Sequence, residues 1–104
     1  MARYLLEALC EGTEDEILFN QFLETARTAP RRQAFYYQLR AEAVALLGRR
    51  EQALLAIEGA SACGLVDLLW LDRCPLLHEL REHPRFVELR SEVAERARSI
   101  LAEA

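Results

Sequence analysis

Between Ala34 and Leu65 the chain reads AFYYQLRAEAVALLGRREQALLAIEGASACGL, two apolar-rich runs that each end at a glycine. In the first run Phe35, Tyr36, Leu39, Ala43, Leu46 and Leu47 recur at three- and four-residue steps up to Gly48. That spacing marks one helical face, and a glycine just beyond the last apolar residue suits a left-handed C-terminal cap. In the second, from about Arg50 to Cys63, the stripe is Ala53, Leu54, Ile57 and Ala60, and Gly64 repeats the stop. Two such helices joined through a glycine turn form an antiparallel hairpin.

The flanking sequence extends the pattern in both directions. Tyr4, Leu5, Ala8 and Leu9 predict a short helix over Ala2 to Cys10, with Gly12 as its stop. Thr13 followed by Glu16 has the capping-box arrangement, and Glu14 and Asp15 suit the positive helix end, so a second helix is expected from about Glu14 to Arg27. Its apolar residues Ile17, Leu18, Phe19, Phe22, Leu23 and Ala26 make a stripe wide enough to pack on two sides. Pro30 ends this first hairpin, about 2–28, and the second spans about 32–63.

Past Gly64, Asp67 is placed to cap a short helical turn through Trp70, and Pro75 and Pro84 each suit a helix's first turn, where a missing amide hydrogen costs nothing. The last helix, Arg85 to about Ala102, sets Phe86, Leu89, Val93, Ala97 and Ile100 on one face. Glu92 and Arg96 are spaced as an i,i+4 pair, worth about 0.2–0.5 kcal/mol. Residues 66–103 thus read as a truncated third unit with a closing helix.

Composition agrees. In 104 residues leucine (19) and alanine (16) supply 35 of the 54 apolar side chains, while valine, isoleucine and threonine total ten. Helix formers therefore outnumber strand formers, and the expected fold is all-α in a single domain, 1–104. Seventeen acidic against thirteen basic residues give a net charge of -4, and all the basic residues are arginine. A polyanion such as nucleic acid meets net repulsion. The densest basic pairs, Arg31-Arg32 and Arg49-Arg50, fall at helix ends and read as solvated turns. Cys10, Cys63 and Cys74 lack the spacing of a disulfide framework, and no leading apolar run resembles a signal peptide, so a cytoplasmic chain with reduced thiols is expected. Apolar runs such as Leu68 to Leu71 fall far short of the ~20 residues that span a bilayer, so no membrane segment is expected.

Aligned with itself, the chain repeats at a spacing of about 35: Leu9, Leu18 and Phe22 recur as Val44, Ala53 and Ile57, and Pro30 maps to Leu65. With Tyr37, Ala41 and Val44 before the Gly48 turn and Ala53, Ile57 and Ala60 after it, the segment from Ala34 to Leu65 resembles a tetratricopeptide repeat. It departs from that pattern where Arg40 stands in place of leucine and Leu65 in place of proline, and the preceding unit has Thr25 in place of a small alanine. The stretch GLVDLLWLDRCPLL from Gly64 to Leu77, continuing to Arg81 and His83-Pro84-Arg85-Phe86, resembles the terminal segment of repeat regions in large multidomain bacterial signalling proteins. These include serine/threonine kinases and nucleotide-cyclase or ATPase regulators.

The resemblance implies a right-handed stack of antiparallel helix hairpins that binds protein or peptide, without catalysis and without a cofactor. It also implies a concave groove lined by the first helix of each unit. Those positions are Phe35, Gln38, Glu42 and Ala45, with Arg3, Glu7 and Cys10 in the preceding unit. With so few units, self-association as a homodimer through an uncovered end face is a further expectation, and a structural cap on a longer helical array is the rival reading.

Three other constellations carry candidate chemistry. Cys74 and His78 stand four apart, near His83, and would share a helical face if Pro75 opens an α-helix; a structural zinc needs four ligands, so core packing is the simpler expectation for Cys74. Asp67 and Asp72 flank Trp70 as the two acids of a glycosidase flank a sugar platform, but helix capping and a core tryptophan explain them more simply. Phe35, Tyr36 and Tyr37 point about 100° apart on one helix, so at least one should be partly exposed. No glycine-rich phosphate loop or kinase catalytic-loop motif is present in the sequence.

Overall fold

Proline at the start and glycine at the end punctuate the chain as their backbones dictate. The computed structural model describes residues 16–103, and its elements are all helical: α1 (Glu16–Thr25), α2 (Pro30–Leu46), α3 (Arg50–Ala62), α4 (Leu68–Arg73), a 3-10 helix (Pro75–Leu80) and α5 (Pro84–Glu103). There is no strand among the described residues. Pro30, Pro75 and Pro84 each open an element, where the ring's fixed φ is already helical. Gly48 and Gly64 carry φ of +76° and +95°, the left-handed region that a side chain disfavours. At both, the chain closes in the same way: Arg49 N–H reaches Val44 O at 2.9 Å, and Leu65 N–H reaches Ala60 O at 3.0 Å. These six-to-one bonds are Schellman motifs, and they turn α2 into α3 and α3 into the connection before α4.

The α2–α3 hairpin is the centre of the molecule. Ala41, Val44, Ala53, Ile57, Ala60 and Leu65 are all buried there, and Tyr37 packs on them. The small side chains let the two helices approach closely, and at Gly59 the lack of a Cβ makes room for the Tyr37 ring. The stripe that periodicity marks on α2 is therefore only partly buried, and the helix buries a second side as well. On that stripe Phe35 and Leu46 are exposed, Tyr36 and Leu39 are half-buried, and Ala43 is buried with Phe19 of α1, while Ala34, Ala41 and Val44 bury a second side of the helix. Close backbone approach through alanine outweighs the larger residues here.

α1 packs on α2 through Phe19, which lies edge-on to Tyr37 with ring centroids 5.3 Å apart. Arg40, one of the departures from the repeat pattern, sets its guanidinium 4.6 Å from the Phe19 ring centroid, a cation–π contact that a leucine would lack. α1 is shorter than the helix expected over Glu14 to Arg27, since Ala26, Arg27 and Thr28 form turns. Among the described residues Ile17 is exposed, so the broad apolar stripe is only partly used. The helix expected over Ala2 to Cys10 and the Thr13 cap lie outside the described residues.

α4, the 3-10 helix and α5 close the other side. Leu71, Leu77, Leu80, Phe86, Leu89 and Val93 are buried in the same core cluster as the hairpin. Arginine side chains tie this segment by its carbonyls. Arg81 donates to Leu71 O at 3.1 Å and Cys74 O at 2.7 Å, and Arg96 donates to Leu65 O at 2.7 Å. Arg96 and Glu92 form no ion pair with each other; both turn to buried Ser61 on α3, whose hydroxyl donates to Glu92 at 3.3 Å and accepts from Arg96. An inter-helix partner with half-buried surroundings outcompetes an exposed i,i+4 pair of small value.

Candidate partner-binding face

At about 100° per residue, Phe35, Gln38, Glu42 and Ala45 fall within about 80° of arc on α2. The structure divides this stripe in two. Along its C-terminal half the chain covers its own face. The Trp70 indole N–H donates to Glu42 Oε1 at 2.8 Å, and the Cys74 thiol donates to the same oxygen at 3.5 Å. Ala45 packs against the core beside them. Asp67 positions this lid by capping α4, its Oδ1 accepting from Trp70 N–H at 3.0 Å. Burial and then the Glu42 carboxylate push the Cys74 thiol up from its ordinary value, so it stays protonated and donates.

The N-terminal half is open. Phe35 keeps 52% of its surface accessible, its ring 6.4 Å from that of Tyr36. Beside it, Gln38 joins Arg31 and Ala34 of α2 in lining a cleft of about 340 Å³. The rest of the lining comes from Gly64, Leu65, Val66 and Asp67 of the α3–α4 connection and from Ile100 of α5. The cleft thus offers a guanidinium, a carboxylate and a side-chain amide around an apolar floor, groups suited to orienting a polypeptide.

Of the expected groove residues, then, Phe35 and Gln38 face solvent or the cleft, Glu42 and Ala45 are engaged internally, and Arg3, Glu7 and Cys10 lie outside the described residues. The repeat spacing does not single out Arg31, Asp67 or Ile100. Arg31 carries a signal, standing seven residues before Gln38 on the same face, and Ile100 ends the α5 stripe. Asp67 reads most simply as a cap, which it also is.

The remaining candidates separate. Pro75 opens a 3-10 helix and not an α-helix, so at about 120° per residue Cys74 and His78 do not share a face. Cys74 turns to Glu42, His78 is exposed, and His83 Nδ1 accepts from Arg85 N–H at 3.1 Å, so this trio forms no ligand set. Among the described residues no group of three or more histidine, cysteine, aspartate or glutamate side chains gathers as metal ligands do. Asp72 is not a cap. It makes a two-pronged pair with Arg90, at 2.7 and 3.0 Å, and that guanidinium holds its carboxyl below the usual carboxylate range. The Cys63 thiol, pushed up by burial, points at Gln33 Oε1 at 3.8 Å, while the Gln33 amide donates to Leu23 O across to α1 at 3.1 Å.

No helix among the described residues is long and apolar enough to cross a membrane. Compared with protein-family models, with curated proteins and with solved structures, the chain matches none of them.

Proposed function

We propose that this chain is a non-catalytic protein-interaction module of tetratricopeptide type, a right-handed stack of helix hairpins serving a regulatory or scaffolding role in a bacterial signalling protein such as a serine/threonine kinase. On this reading it works in the cytoplasm and takes a protein or peptide as partner. The observation that carries it is the open half of the α2 stripe: an accessible Phe35 next to a cleft of about 340 Å³ with Arg31, Gln38 and Asp67 at its edges. An exposed aromatic beside a preformed cleft is the surface on which binding energy concentrates. The burial of Ala41, Val44, Ala53, Ile57, Ala60 and Leu65 supports the repeat resemblance, because those are residues on which it rests.

Replacing Phe35 with a photo-crosslinking phenylalanine derivative, in cells producing the whole chain, tests this reading. A discrete adduct, lost when Gln38→Arg crowds the cleft and absent when the probe replaces exposed Glu51 on α3, is the expected result. Adducts no different between the two probe positions overturn it. The rival reading, a structural cap, draws on α5, which buries Phe86, Leu89 and Val93. It predicts that Phe35 and Gln38 tolerate substitution with no change in any captured partner.

A further inference from the structure

We propose that the cleft between α2 and the α3–α4 connection receives a second copy of this chain across a two-fold axis, Arg31 of each copy pairing with Asp67 of the other over an apolar floor that includes Val66 and Ile100. This rests on the protein-interaction reading and names its partner. Val66 and Ile100 keep 44% and 51% of their surface accessible, although both are apolar and line one cleft. Arg31 and Asp67 line it too, from different elements, and no salt bridge joins them. Elsewhere on the surface Arg50 pairs with Glu79, Arg85 with Glu58 and Glu88, and Arg90 with Asp72.

An isologous contact brings residue i of one copy to residue j of the other and j to i. A cleft carrying a cation on one element and a carboxylate on another is therefore its own complement, whereas a cleft of one sign would repel its copy. A second chain supplies both charges and the apolar strip at the matching separation. The net charge of -4 on each copy opposes association at long range, but at physiological salt that repulsion is screened beyond about 8 Å. Apolar burial drives the contact, and the paired charges fix its register.

Sedimentation of the full chain over a broad concentration range tests this. Wild type is expected to dimerise reversibly. Arg31→Asp and Asp67→Arg alone should each weaken the dimer at least about tenfold, by placing like charges together. An equimolar mixture of those two variants should dimerise again, because one copy then presents two carboxylates and the other two guanidiniums. The double variant Arg31→Asp/Asp67→Arg should recover as well. Asp67→Asn, which keeps a capping side chain for α4, controls for loss of fold. Ile100→Glu should abolish the dimer without changing the charge pairing. A wild-type chain that stays monomeric, or a dimer indifferent to both charge reversals, overturns the proposal. The two failures are distinguishable: a monomer whose Phe35 probe still traps another protein overturns only the two-fold pairing, while loss of the specific adduct overturns the interaction reading beneath it.

Discussion

Gly59 sits in the interior of α3, where alanine is ordinarily favoured by up to about 1 kcal/mol, yet a Cβ there would stand 2.7 Å from Cδ1 and Cζ of Tyr37. The ring has little room to retreat, being held edge-on by Phe19. Gly59→Ala should therefore destabilise the fold by about 1–3 kcal/mol, seen as a lower midpoint in urea. In a Tyr37→Ser background the same change should become neutral or stabilising, which a double-mutant cycle checks. Asp72 gives a pH-dependent counterpart. Its folded pKa is depressed by Arg90, so its contribution is present above the unfolded carboxyl value and is lost as pH falls through the folded one. Because the pair is exposed, Asp72→Asn should cost no more than about 1 kcal/mol at neutral pH, and the difference from wild type should vanish below the ordinary carboxylate range. Neither relationship is legible in the sequence, because Gly59 and Tyr37, like Asp72 and Arg90, meet only after the helices dock.

At the scale of elements, what the sequence announces is punctuation. Pro30, Pro84, Gly48 and Gly64 act where their backbone preferences require, because capping is decided within a few residues. The segment Pro75–Leu80 resists such reading: a proline start does not say whether three or 3.6 residues complete the turn, and tertiary packing of Leu77 and Leu80 chooses. Likewise the stripe of Phe35, Tyr36, Leu39, Ala43, Leu46 and Leu47 marks the side of α2 that meets α1 and misses the side of Ala34, Ala41 and Val44, because alanines that permit close approach carry little weight in a hydrophobic pattern. Half of the candidate site was thus legible through the repeat resemblance, while its occlusion by Trp70 depends on a contact 28 positions away in sequence. The most exacting element-level device is Arg81, whose planar guanidinium spans the carbonyls of Leu71 and Cys74. A lysine ammonium cannot reproduce that fork. Arg81→Lys should lose nearly as much stability as Arg81→Ala, about 1–2 kcal/mol, and thermal melts of the pair would show whether charge alone suffices.

For the molecule as a whole, α5 is part of the core and not an accessory. Phe86, Leu89 and Val93 are 2%, 1% and 0% exposed and share one cluster with the hairpin. Ending the chain before Pro84 should therefore abolish the cooperative unfolding transition, whereas Phe86→Ala should keep it and lower stability by about 3–5 kcal/mol; calorimetry separates the outcomes. The same dependence means that a point change such as Ile100→Glu, at the exposed end of the stripe, is the sounder probe of surface roles. The clamps at Leu65, Leu71 and Cys74 are all guanidinium groups, and the thirteen basic side chains include no lysine. The chain consequently offers no side-chain primary amine to an acyl donor, an aldehyde or an isopeptide ligase. Acetylation or ubiquitin attachment at lysine has no address here, and trypsin finds only arginine at which to cut.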